Sequence, residues 1–229
     1  MNISTTELRR VFLYVFVLVV SVAIHEFGHA FMADRLGDDT PRRQGRVTLN
    51  PLAHADPIGT LLLPILGGFY GGGSFGWGRP VLWTPSRIRR GISMSTASIL
   101  VAIAGPTMNL LLGTVLAATR AMLLARGVIH EHMDATFSNL TDMSSILEFA
   151  TLTNFILFFF NLVPVPPLDG GHVAESFTPY RYRDKFHEFA RFGPFIVLGV
   201  MLIPQVQWIF VTPAMFCAHH VYNLFHALF

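Results

Sequence analysis

Apolar residues gather in long runs along this chain, and those runs set its predicted elements. Val11–Ala33 is apolar almost throughout, and Ser93–Leu124, Ile146–Pro164 and Phe192–Val211 are further runs of similar character. Each approaches or exceeds the roughly 20 residues a helix needs to cross hydrocarbon. Pro213–Phe229 is a last candidate, either a sixth span or an interfacial helix, and Ile58–Phe69 is apolar but short and interrupted by Gly and Pro. Between the runs, Gly45–Gly59 and Gly67–Trp83 mix β-branched and aromatic residues with glycines. That composition favours short strands and turns, so a small β-sheet at the membrane edge is expected.

The expected fold is therefore an all-α polytopic membrane protein with about five to six transmembrane segments. A single membrane-embedded domain covers residues 1–229, with its core at 11–171 and accessory C-terminal helices at 192–229. The first run is expected to stay in the mature protein, because no small-residue cleavage site follows it.

Composition supports this picture: 52% of residues are hydrophobic and only 13% charged, where soluble domains carry about 25% charged residues. The net charge of +2 comes from arginines clustered between the apolar runs, a pattern of membrane-side anchors that excludes a nucleic-acid footprint. A lone Cys217 rules out an internal disulfide and a Cys-rich zinc site.

Within the first run lies His25-Glu26-Phe27-Gly28-His29. Residues four apart on a helix share one face, so both imidazoles can reach one ion. A glutamate beside the first ligand can move a proton between water and a leaving amine. The pattern alone is weak, but ionisable groups at membrane depth cost roughly 2.5–3.5 kcal/mol each on insertion scales, so chance placement is the poorer account. A catalytic zinc takes three protein ligands and leaves one position open. Asp169, in Asn161-Leu-Val-Pro-Val-Pro-Pro-Leu-Asp169-Gly-Gly171, fits a third ligand best: prolines break the helix there and glycines relieve the turn. Asp34, His54, Asp56, His172 and Glu175 are less well placed, and an ordinary helix-terminal turn also accounts for Asp169 by itself.

HEFGH, AGPTMN at Ala104–Asn109 and NLVPVPPLDGG at Asn161–Gly171 together resemble the site-2 proteases, as do GRVTLNPLAHADPIGTLLLP and GWGRPV. The resemblance runs from about Val11 to Gly171 and describes a compact form without a PDZ or CBS domain. It implies an intramembrane zinc metalloprotease, with His25, His29 and Asp169 binding one Zn²⁺ and Glu26 as catalytic acid/base. It further implies that Asn161 helps to hold substrate, that Asn109 packs helices or lines the site, and that the Gly-rich loop pairs with an unwound substrate as an edge strand. Gly78 and Leu82-Trp83 depart from the usual wording of that loop, which leaves substrate preference open. His54 is read either as a loop histidine bonded to the Asp56 backbone or side chain, or as a residue near the site mouth that orients substrate or gates water. His219, His220 and His226 are read as interfacial.

The implied partners are the lipid bilayer and single-span membrane proteins, such as anti-sigma factors, membrane-tethered regulators or remnant signal peptides. The rival classes are a catalytically silent helix-binding scaffold and a metal transporter. The first has no use for Glu26, and the second ordinarily shows internal repeats that this sequence lacks.

If His25, His29 and Asp169 share one depth, the first run and the Ile146 run must point the same way, with Ser93–Leu124 returning between them. Ile58–Phe69 is then re-entrant or interfacial. Counting Lys and Arg under this topology puts twelve on the ligand side (Arg35, Arg42, Arg43, Arg46, Arg79, Arg87, Arg89, Arg90, Arg181, Arg183, Lys185, Arg191) and four on the other (Arg9, Arg10, Arg120, Arg126). The positive-inside rule then turns the site towards the cytoplasm of a bacterial or archaeal cell membrane.

Overall fold

The computed structural model describes residues 4–70, 76–130, 140 and 142–228. Three long helices form its centre: α1 (Thr5–Arg35), α5 (Met94–Ala125) and α6 (Met143–Asn161). Each begins where the sequence supplies a capping side chain. Ser4 accepts from the backbone N–H of Glu7, whose carboxylate in turn accepts from the Ser4 N–H; Ser93 accepts from Thr96 and Asp142 from Ser145. Between α1 and α5 come two short helices, α2 (Thr40–Arg43) and α3 (Pro51–His54), then a π-helical turn (Pro57–Leu62) that runs into α4 (Leu63–Tyr70). After α6 follow α7 (Asp169–Phe177), α8 (Arg183–Leu202) and α9 (Pro204–His226).

α5 is the hub, packing against α1, α6, α7 and α9. Ala33 and Leu36 meet Ala97 and Val101 where α1 ends and α5 begins, with Trp83, Ile88 and Ile92 packed around them. Tyr14, Leu18 and Val22 face Phe149 of α6. Small residues set the spacing of α1 and α5: a methyl added at Gly28 would sit 2.6 Å from the Ala104 carbonyl oxygen. Close backbone approach of this kind is how helices gain packing energy when lipid removes the hydrophobic drive. The outward faces stay apolar. Phe12 and Phe16 on α1 and Trp208, Met215 and Phe216 on α9 are all more than half exposed, as suits side chains that meet acyl chains.

Among the described residues three helices, α1, α5 and α6, are long and apolar enough to cross a membrane, and a fourth crossing is available if α8 and α9 act as one bent span. That is fewer than the five to six expected. The run Phe192–Val211 is cut at Ile203, whose extended backbone before Pro204 lets the chain turn by 81°. Pro213, expected to begin a new segment, instead lies inside α9. Pro57–Phe69 is apolar but short of a span.

The membrane-edge sheet is not supported: among the described residues there is no strand. In Gly45–Gly59 two Asx-Pro pairs win over β-propensity. The Asn50 side chain accepts from the Leu52 N–H and Asp56 accepts from Ile58 and Gly59, each with a proline at the first helical position. Residues 76–83 belong to no helix or strand; Trp77 donates to the Gly59 carbonyl in the π-helical turn and Arg79 to that of His54 at the end of α3. Residues 71–75 of the expected glycine-rich strand lie outside the described residues.

Candidate metal centre

His25 and His29 stand one turn apart on the inner face of α1, both buried. Their ring nitrogens divide cleanly between support and site. His29 Nδ1 lies 2.7 Å from the Val101 carbonyl oxygen of α5, an atom that only accepts, so Nδ1 carries the proton. His25 Nδ1 lies 2.7 Å from Asn109 Oδ1 and is the donor for the same reason. Both Nε2 atoms therefore present lone pairs, 3.0 Å apart.

Asp169 reaches this pair from the other side. After α6 ends at Asn161 the chain folds through Leu162–Leu168, with a cis Pro166–Pro167 bond, and Asp169 begins α7. Its Oδ2 is 3.1 Å from His25 Nε2 and its Oδ1 3.3 Å from His29 Nε2. Oδ2 is buried without a hydrogen bond, as expected where carboxylate and imidazole lone pairs face one another. The three side chains each offer one ligand atom, all within 4.8 Å of one another. Zn–N and Zn–O bonds of about 2.0–2.2 Å in a tetrahedron place ligand atoms about 3.3 Å apart, close to the separations here. Converging lone pairs with no shared proton fit a cation, and the imidazole and carboxylate donors fit zinc.

Two glycines make the approach of other elements to this centre feasible. A methyl at Gly105 of α5 would overlap His29 Nε2 and come within 2.9 Å of His25 Cε1. A methyl at Gly78 would lie 3.2 Å from Glu26 Oε1, so the chain at Gly78 runs directly beside Glu26. Glu26 itself is buried, on the same helix as the two histidines.

The other expected site residues fare differently. Asn109 is fully buried and belongs to the centre through His25. Asn161 closes α6 and donates its amide back to the Leu157 carbonyl. His54 is 1% exposed, and its Nε2 donates to the Thr48 carbonyl oxygen at 2.9 Å, while Nδ1 has no partner. The expected bond to Asp56 is absent, because that carboxylate is committed to the Ile58 and Gly59 N–H groups.

Several buried polar residues escaped the sequence reading. Arg46 donates through Nη1 to the Ala53 carbonyl and, at 3.5 Å, to that of Arg79. Burial and the Arg79 charge pull its guanidinium below the usual value while Glu26 opposes them, which puts Arg46 in electrostatic reach of Glu26. The GRVTLNP wording was the only available signal. Ser21 and Asn154 were not singled out at all.

Comparison with known proteins agrees with this geometry. A family model described as "Peptidase family M50" matches residues 13–203. This chain belongs to peptidase family M50. It is 36% identical over 216 residues to the "Putative zinc metalloprotease YwhC" of Bacillus subtilis (strain 168), covering 94% of this chain and 91% of that protein. It is 31% identical over 202 residues to the "Putative zinc metalloprotease Rip2" of Mycolicibacterium smegmatis (strain ATCC 700084 / mc(2)155), with 86% of this chain and 71% of that one aligned. The protein of the same name from Mycobacterium tuberculosis (strain ATCC 25618 / H37Rv) is 32% identical over 203 residues, with the same shares of each chain. No solved structure matches.

Proposed function

We propose that this M50 peptidase is an intramembrane protease, cutting single-span membrane proteins within or near their transmembrane segments. Its enzyme class, a zinc metalloprotease that hydrolyses peptide bonds, follows from the family and from the metal cluster. The carrying observation is that His25, His29 and Asp169 converge on one point inside a bundle of apolar helices, with Glu26 beside them.

Zinc held by His25, His29 and Asp169 would polarise the scissile carbonyl and activate a water. Glu26 takes a proton from the attacking water and delivers it to the departing amine. The stretch around Gly78 lies next to Glu26 and is assigned to pairing with a substrate whose helix has unwound and freed its carbonyls. Gly78 removes the side chain that would separate the two. His54, with its bare Nδ1 behind this stretch, and Asn161, at the mouth of the Asp169 loop, are assigned to holding substrate. The site faces the cytoplasm of a bacterial or archaeal cell. Membrane-tethered regulators, anti-sigma factors and remnant signal peptides are the substrate classes to try.

The test uses protein purified in detergent and a panel of single-span substrates. Wild type should cut at least one, Glu26→Gln should cut none, and both should hold about one zinc. Cleavage surviving in Glu26→Gln, or a wild type without zinc, would sink the mechanism.

A further inference from the structure

Behind His25 lies a set of side chains that the reaction as set out does not use. Asn109 and Asn154 are fully buried and Ser21 is 1% exposed. Asn109 Nδ2 donates to the Ser21 carbonyl at 3.1 Å and to Asn154 Oδ1 at 2.9 Å. Asn154 Nδ2 donates to Ser21 Oγ and to the Ala150 carbonyl, both at 2.9 Å. The two backbone carbonyls only accept, so they fix which way each amide points. Asn154 must turn its oxygen to Asn109, and Asn109 must turn its oxygen to His25. Only a protonated Nδ1 satisfies that oxygen, which leaves His25 Nε2 as a bare lone pair towards Asp169. His29 needs no such relay, because a backbone carbonyl holds its Nδ1 directly.

We propose that Ser21, Asn109 and Asn154 form a one-way hydrogen-bond relay that fixes the metal-binding tautomer of His25 and thereby sets the zinc affinity of the centre. The proposal rests on the metalloprotease reading. Asn154 and Ser21 are positioning residues that act through Asn109. If Asn154 is lost, the Asn109 amide keeps one restraint in place of two and can turn its NH₂ to His25 Nδ1. The ring then protonates at Nε2 and ceases to be a ligand. Partners of metal-bound histidines typically contribute about 10–100-fold to metal affinity. Ordinary helix glue of the same composition would instead weaken the fold and leave zinc affinity alone.

The experiment measures zinc affinity of the full chain in detergent by competition with a chromophoric chelator, alongside thermal melting of the zinc-free protein. Asn109→Leu should weaken zinc by about 10–100-fold and Asn154→Leu by about 10-fold. The double variant should bind no more weakly than Asn109→Leu alone, since one acts through the other. Wild-type affinity in folded Asn154→Leu, or losses that multiply in the double variant, would overturn the relay. Should the leucine variants not be recovered folded, Asn154→Ser carries the test: its shorter side chain no longer reaches Asn109 Nδ2, a loss of about 10-fold in zinc affinity is expected, and unchanged affinity overturns the relay. A wild type that binds no zinc overturns the protease reading as well, whereas zinc-binding wild type with unaffected variants overturns the relay only.

Discussion

At Gly105 the two histidine rings occupy the space a side chain would need. Gly105→Ala is therefore expected to displace His29, abolish stoichiometric zinc binding and destabilise the fold by about 1–3 kcal/mol, the usual cost of overpacking. Metal analysis beside a thermal melt checks both parts, and a variant with full zinc content would show that the rings have room to move. Removing the metal should have the opposite symmetry: a strong chelator should silence cleavage, and added zinc should restore it together with a higher melting temperature. Activity that survives exhaustive chelation would contradict a zinc-dependent reaction. The convergence of His25, His29 and Asp169 was legible because its signal is local: His25 and His29 need only helical spacing, and Asp169 stands out beside prolines and glycines at the end of an apolar run. Asn154 and Ser21 lie 133 residues apart in the chain, and neither is unusual in a membrane helix. Only packing of α1, α5 and α6 reveals them.

At the scale of elements, helices held together in lipid depend on polar pins, and Arg120 is one. It is buried on α5, pairs with Glu148 of α6 at 3.0 Å, donates to Ser144 at 3.2 Å and lies over the Tyr222 ring of α9 at 4.8 Å. Arg120→Met should therefore loosen α9 without touching the metal centre. About 1–3 kcal/mol is expected, since Glu148 is partly exposed and loses less than a fully buried partner. The readouts are limited proteolysis near α9 and unchanged zinc content; equal protease resistance would remove Arg120 from this role. The long helices were readable from their apolar runs and caps. The shorter elements misled because composition was weighed above punctuation: Asn50-Pro51 and Asp56-Pro57 are helix-start signals embedded in a stretch rich in strand-forming residues. The proline pair in the last third misled in another way. Pro204 and Pro213 carry the same local warning, and only the packing of α9 against α5 and α6 decides which one turns the chain.

For the molecule as a whole, the site constrains any membrane topology. His25 and His29 lie in the last third of α1, their partners Val101 and Asn109 in the first half of α5, and Asp169 beyond the end of α6. The three helices must then alternate in direction if each crosses. On that arrangement the described residues of 36–93 and the start of α7 would share one side, and Arg126 after α5 would lie on the other. Arginine placement gives that alternation a sign, because Arg87, Arg89 and Arg90 sit between α4 and α5 while Arg126 follows α5. In a Cys217→Ser background, single cysteines at positions 90 and 183 should resist a membrane-impermeant thiol reagent applied to intact cells and react once the cells are opened. One at position 126 should react from outside. The reverse pattern would leave the metal centre intact but place its mouth on the outer face, where cytoplasmic ends of substrates would be out of reach. Labelling of all three from outside would mean that α5 does not cross, and the shared depth of His25, His29 and Asp169 would then need a different membrane arrangement.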